Sequence, residues 1–81
     1  MNNNEVLRPG EILVYELDTR AEDPTAFAVK IGMFPSDFID LLNGKLQVTE
    51  HIAQSLEREL NMPAAFWLTL QAEYDNWLNN K

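Results

Sequence analysis

The sequence contains no cysteine, which excludes disulfides and thiolate metal sites. It also lacks any apolar run near the ~20 residues of a membrane-spanning helix. The N-terminal residues Met1–Glu5 have neither the basic nor the apolar part of a secretory signal. We therefore expect a cytoplasmic protein without membrane association.

Basic residues are scarce. Thirteen Asp and Glu against six Lys and Arg give a formal net charge of −7, which is the wrong sign for a generic nucleic-acid-binding protein. An acidic protein of this size attracts basic partners. A solvated acidic surface without a special partner explains the charge equally well, so both interpretations stay open.

Catalytic and cofactor-binding patterns are absent as well. His51 is the only histidine, and without a second histidine or a cysteine it does not indicate a metal site. The sequence has no Gly-rich phosphate loop, no H-E-x-x-H motif and no catalytic-triad spacing. We expect no metal, no cofactor and no enzymatic activity.

The apolar residues that are present suffice for one small core. The 81 residues are 46% hydrophobic and include two Trp, two Tyr and four Phe, which indicates a single small domain. No segment shows the alternation of a β-strand. Apolar residues recur instead at helical spacing after five start signals, which are Pro9, Pro24, Pro35, Thr49 and Pro63.

Cap residues predict where these helices begin and end. Asp23 is suited to cap the second helix, and Pro24 fits its first position because the missing N–H would have no partner there. Gly32, Gly44 and Asn61 are predicted to end the second, third and fourth helices. The sequence thus predicts an all-α domain of five helices over residues 8–81, preceded by a short flexible segment over residues 1–7.

The second and third predicted helices form the outline of a helix-turn-helix. A tight turn containing Gly32 and Met33 joins them, and the third helix is only about two turns long. Such a unit presents the outer face of its second helix to a DNA major groove. The outline alone is weak evidence, because many small helical bundles contain two helices around a Gly turn.

Four motifs make the comparison more specific. They are Arg8–Leu13 (RPGEIL), Leu41–Lys45 (LLNGK), Thr49 at the start of the fourth helix, and Phe66–Asp75 (FWLTLQAEYD). With them the chain resembles the HigA-type antitoxins, the plasmid-maintenance antidote branch of the XRE (Cro/repressor-like) helix-turn-helix family. The resemblance covers about nine-tenths of the chain without gaps.

This resemblance implies a fold, two activities and two partners. The implied fold is a five-helix lambda-repressor-like DNA-binding domain, usually a homodimer. The implied activities are neutralisation of a small basic, ribosome-dependent mRNA-cleaving toxin encoded alongside, and repression of the shared operon through a palindromic operator. Two third helices, one from each protomer, would read that operator.

The outer face of the third helix departs from the family pattern. Phe38, Leu41 and Leu42 are expected to point inward. The candidate DNA-binding residues are then Ser36, Asp37, Ile39, Asp40, Asn43 and Lys45. The family usually has basic or polar residues on this face, and the start of its second helix usually reads Ser-Gln where this chain has Asp23 and Pro24.

Several of these positions allow more than one interpretation. Asp37 either contacts a base or stabilises the first turn of its helix, where a carboxylate contributes ~0.3–1 kcal/mol. Ile39 touches a thymine methyl group, belongs to a protein-binding surface, or is an ordinary exposed residue. Lys45, with Arg8 or Lys30 if the fold brings them close, is either a phosphate contact or a solvated charge.

The predicted fifth helix carries more aromatic surface than a small core needs. Core packing is the default interpretation of aromatic residues at helical spacing. The alternative is a dimer interface, in which Trp and Tyr are efficient anchors. The candidate dimer residues are Phe66, Tyr74, Trp77 and Leu78.

Two functions follow, with a third that the sequence does not separate from the first. The first is an antitoxin and repressor that binds its own operator DNA. The second is a protein-interaction module on the same scaffold, which binds a basic toxin and binds DNA weakly or not at all. The third is a stand-alone regulator without a toxin.

Overall fold

The computed structural model describes residues 7–80 and contains five α-helices. These are α1 (Pro9–Thr19), α2 (Pro24–Lys30), α3 (Pro35–Leu42), α4 (Glu50–Leu60) and α5 (Ala64–Asn80). No strand occurs among the described residues. The prediction of an all-α five-helix domain with a helix-turn-helix is confirmed. Of the predicted flexible segment 1–7, all but Leu7 lies outside the described residues.

The predicted helix starts are close to those observed. The Asp23 carboxylate accepts a hydrogen bond from the Ala26 N–H at 3.0 Å, and the Thr49 hydroxyl accepts one from the Ile52 N–H at 3.3 Å. The last helix begins at Ala64, one residue after the predicted start. There the Glu57 carboxylate accepts the Ala64 N–H at 3.2 Å, so a residue of α4 satisfies a free amide of α5.

The predicted helix ends are also confirmed. Gly32 and Gly44 adopt left-handed backbone conformations, with φ of +75° and +79°, after α2 and α3. Asn61 has φ of 59° directly after α4, as asparagine tolerates better than most residues. These three positions turn the chain sharply enough to pack consecutive short helices around one core.

The core gathers side chains from every helix. Its largest members, Trp67, Phe27 and Phe38, are all nearly inaccessible to solvent. The rings of Phe27 and Phe38 are 5.6 Å apart and tilted by 46°, a spacing typical of favourable aromatic pairs. This pair joins α2 to α3 and thereby fixes the geometry of the helix-turn-helix.

Helix α1 supports α3 through a backbone contact at Gly10. A Cβ at this glycine would lie 2.7 Å from the carbonyl carbon of Leu42 and 2.8 Å from the carbonyl oxygen of Leu41. Only glycine therefore allows α1 to approach the last turn of α3 so closely. Within residues 7–80, no helix has the length and hydropathy needed to cross a membrane.

Candidate nucleic-acid interface

The turn between α2 and α3 is short and is held by a buried side chain and a backbone hydrogen bond. Ile31 is buried in the core, and the Met33 N–H donates to the Ala28 carbonyl oxygen at 2.9 Å. Gly32 supplies the positive φ that this hydrogen bond requires. The turn holds the start of α3 against the end of α2 and leaves the other side of α3 open.

Helix α3 separates into a buried side and an exposed side. Phe38 is completely buried and Leu41 is 1% exposed, as predicted. On the opposite side lies an exposed stripe at positions i, i+3, i+4 and i+7 of the helix, formed by Ser36, Ile39, Asp40 and Asn43. Asp37 is exposed on the flank of this stripe. We call these five residues the outer face of α3.

The outer face of α3 is acidic. No Lys or Arg occurs between Pro35 and Leu42. Among the described residues, the carboxylates of Asp37 and Asp40 have no ion pair or side-chain hydrogen bond. A carboxylate accepts a hydrogen bond from cytosine N4 in the major groove but repels the neighbouring phosphates. These two carboxylates therefore lower the sequence-independent affinity of this face for any duplex. Only specific hydrogen bonds to bases can compensate for that loss.

An exposed aromatic side chain lies beside this face. The predicted set of DNA-binding residues does not include it. Phe34, the residue before α3, is 76% exposed and makes no side-chain cap. The signal was available in the sequence, because an aromatic residue occupies a position where Ser, Thr, Asp or Asn is preferred. The start of α3 thus presents Phe34 and Asp37 together to solvent.

Positive charge lies at the other end of α3. Lys45 follows the helix, is exposed, and has no side-chain partner within residues 7–80. The Arg8 side chain crosses Gly44, since a Cβ at Gly44 would lie 2.8 Å from Arg8 Cδ and 3.0 Å from Arg8 Nε. The fold therefore brings Arg8 next to Lys45. The Lys30 ammonium is instead paired with the Glu22 carboxylate at 2.9 Å.

Two polar residues of α5 hold the loop that carries Lys45. The Gln71 side-chain oxygen accepts the Val48 N–H at 2.8 Å, and the Gln71 amide donates to Asp75 at 2.9 Å. Gln47 donates to the other Asp75 oxygen at 3.3 Å. These residues position the loop, although the sequence-based site prediction does not include them. The signal was their i, i+4 spacing inside the motif Phe66–Asp75.

The aromatic surface of α5 is partly buried and partly exposed. Trp67 is completely buried, whereas Phe66 is 38% and Leu78 is 41% exposed. Tyr74 and Trp77 are half-buried and stack with ring centroids 6.0 Å apart. Core packing thus accounts for Trp67, while the dimer role of the other four residues stays a prediction.

Within residues 7–80, no group of three or more His, Asp or Glu side chains is placed to hold a metal ion. The His51 side chain is exposed on α4.

Comparison with known proteins relates this geometry to characterised folds. No family model and no curated protein matches the chain. Solved structures do match. An antidote protein of a plasmid maintenance system from Nostoc punctiforme is 28% identical, with a TM-score of 0.88 over 93% of this chain and 82% of that one. A Pseudomonas aeruginosa protein in complex with its operator DNA is 28% identical, with a TM-score of 0.86 over 93% and 82%.

A third structure names the family directly. The Pseudomonas aeruginosa antitoxin HigA with the higBA promoter is 29% identical, with a TM-score of 0.82 over 88% of this chain and 78% of that one. The chain thus shares its fold with HigA-type antitoxins at 28–29% sequence identity. The three matches cover 88–93% of this chain.

The start of α2 combines an acidic cap with a proline. Asp23 turns its carboxylate toward the Ala26 amide, and Pro24 has no N–H to donate. Free amides at a helix start otherwise attract phosphate. The start of α2 is thus less suited to a DNA backbone than the Arg8–Lys45 end of α3.

Proposed function

We propose that this protein is a cytoplasmic antitoxin and autorepressor that binds its own operator DNA through the outer face of α3. The observation that carries the proposal is the exposed stripe Ser36–Asn43 on a helix fixed by a complete helix-turn-helix. Structures of the same fold with operator or promoter DNA support it. The activity is regulation by binding, not catalysis.

The charges around α3 suggest how a duplex would be held. Arg8 and Lys45 lie at its C-terminal end and are suited to neutralise phosphates, which supplies most sequence-independent affinity. Asn43 and Ser36 offer hydrogen-bonding groups to base edges. Asp37 and Asp40 lower the affinity for every duplex by repelling phosphates. They recover part of that affinity only where a cytosine amine donates a hydrogen bond to them. The expected complex is therefore moderate in affinity and depends on few phosphate contacts.

A salt titration tests the DNA proposal. Gel-shift titrations against the region upstream of the gene are expected to show binding that weakens with salt. Replacing Lys45 by Gln is expected to reduce the slope of log affinity against log salt by ~1, because one phosphate contact is lost. Lys30→Gln is the matched control, since Lys30 is already paired with Glu22. Absence of a shift at low salt would refute operator binding.

The antitoxin part of the proposal concerns a basic RNase toxin encoded alongside. Its support is the similarity to solved antitoxin structures together with the net charge of −7, because opposite charges speed association and favour a complex. Co-purification of the neighbouring gene product with this protein tests it. A neighbouring product that is not basic, or that does not bind, would leave a stand-alone regulator.

One observation favours a second candidate function. The unpaired carboxylates on the outer face of α3, beside the exposed Phe34, suit a basic protein better than a phosphate backbone. On this alternative the scaffold binds a toxin and binds DNA weakly or not at all. The salt titration separates the two functions, since only the first predicts a retarded operator band.

We also propose that the protein is a homodimer through α5. Phe66, Tyr74 and Trp77 recur at i, i+8 and i+11, so they lie along one side of the helix, with Leu78 beside them. A Trp77→Ala variant is expected to raise the dimer dissociation constant at least about tenfold, as for a typical interface anchor. Sedimentation velocity measures this. Val29→Ala, at a 66% exposed position on α2, is the control, and equal behaviour of the two variants would contradict this interface.

A further inference from the structure

Helix α1 carries a second exposed stripe that the DNA-binding proposal does not use. Glu11, Val14, Tyr15 and Asp18 lie at i, i+3, i+4 and i+7, so they share one face over two turns. All four are exposed. Val14 is 46% and Tyr15 is 66% exposed, so two large side chains lie next to each other on the surface of α1. We call these four residues the α1 stripe.

The α1 stripe and the outer face of α3 are carried by different helices. The buried side of α1 carries Leu13 and Leu17. Gly10, about a quarter-turn around α1 from the centre of the stripe, touches the end of α3. A partner on the α1 stripe and a duplex on α3 would therefore use different helices.

The chemistry of the α1 stripe fits a basic protein. Two apolar side chains lie between two carboxylates, and no Lys or Arg occurs between Pro9 and Thr19. Glu11 accepts the Arg8 N–H at 2.8 Å through one oxygen. The Asp18 carboxylate has no side-chain partner among residues 7–80. Tyrosine supplies a large, stiff contact surface and is a frequent interface anchor.

Charge also argues against a second copy of this chain as the occupant. Pairing two α1 stripes would bring four carboxylates together without a cation from either helix. Juxtaposed like charges disfavour association, whereas a basic surface around an apolar patch complements this arrangement. The stripe thus favours a basic partner over self-association.

We propose that the α1 stripe is the docking surface for the basic toxin. Tyr15 and Val14 contact an apolar patch on the toxin, and Asp18 and Glu11 pair with surrounding Lys or Arg side chains. This inference rests on the proposed antitoxin function and adds the surface that carries it. The proposed toxin contacts include none of the residues on the outer face of α3.

Titration calorimetry with the basic protein encoded by the neighbouring gene tests the proposal. Tyr15→Ala is expected to weaken binding about tenfold, as for an interface anchor. Asp18→Asn is expected to weaken it about fivefold at low salt and less at high salt, because exposed charges are screened. Val29→Ala and Glu59→Gln are matched controls at exposed positions on α2 and α4 and are expected to leave affinity unchanged. All four variants should retain the operator affinity of the wild type.

The outcomes separate the inference from the function on which it rests. If the neighbouring protein does not bind the wild type, the antitoxin function fails and the inference fails with it. If the wild type binds but Tyr15→Ala and Asp18→Asn bind equally well, the antitoxin function stands and the α1 stripe is refuted. If Tyr15→Ala changes the sedimentation of the protein alone, the stripe pairs with a second copy, which also overturns the proposal.

Discussion

The Asp37→Asn/Asp40→Asn double variant is expected to bind DNA of unrelated sequence about tenfold more tightly than the wild type at low salt. A charge pair 4 Å apart in water interacts by only ~1 kcal/mol, but both carboxylates lie on the side of α3 that would meet the duplex, so two repulsions are removed. Neither carboxylate has a side-chain partner among the described residues. The substitutions should therefore leave the fold unchanged.

Operator DNA should respond differently from unrelated DNA. If one of the carboxylates accepts a hydrogen bond from a cytosine amine, its loss removes ~1–3 kcal/mol of discrimination and offsets the gain. The ratio of operator to unrelated affinity is thus expected to fall. Fluorescence anisotropy with both duplexes over a salt series measures the ratio.

A second double variant controls for net charge. Glu59→Gln/Glu73→Gln removes the same two charges at exposed positions on α4 and α5. At ~0.1 M salt it is expected to change neither affinity by more than about twofold, since the Debye length there is ~10 Å and more distant charges are largely screened. If both double variants raise DNA affinity equally, the effect comes from net charge, and the outer face of α3 does not contact the duplex in particular.

Replacing Gly10 by Ala is expected to destabilise the protein by about 3 kcal/mol, near the upper end for overpacking. The added methyl group would meet the carbonyl groups of Leu41 and Leu42, which are backbone atoms at the last turn of α3 and have no rotamer to change. Helix α1 must then move away from α3. A domain of this size loses roughly 4–8 °C of melting temperature per kcal/mol, so a large drop is expected by circular dichroism.

Gly32→Ala provides a comparison with the same chemical change. No atom lies within 4 Å of the added methyl group, and the cost arises only from φ of +75°, about 1–2 kcal/mol. The Gly10 variant should melt at a clearly lower temperature and bind operator more weakly at a temperature where both variants are folded. Equal melting temperatures would show that α1 does not need this close contact to hold α3.

The local features of the fold could be predicted from the sequence because they depend on neighbouring residues. A cap such as Asp23 acts on an amide three residues later, and Gly44 acts on its own φ. The inward side of α3 followed from helical periodicity alone. The same periodicity placed Asp37 and Asp40 outside, and both are exposed.

The surroundings of the candidate site required the three-dimensional structure. Arg8 meets Gly44 across 36 positions of sequence, and Gln71 reaches Val48 across 23. No pattern in one sequence indicates which of several solvated cations will lie close to α3 in the fold. In the structure Arg8 lies against Gly44, whereas Lys30 is paired with Glu22.

A heteronuclear NMR titration with an operator duplex tests most directly whether α3 is the surface that meets DNA. The account predicts that the largest amide shift changes occur between Ser36 and Lys45, with a further change at Arg8. The amides of Val14, Tyr15 and Asp18 in the α1 stripe should remain at their free positions. The account would be contradicted if the operator bound while residues 36–45 kept their free chemical shifts.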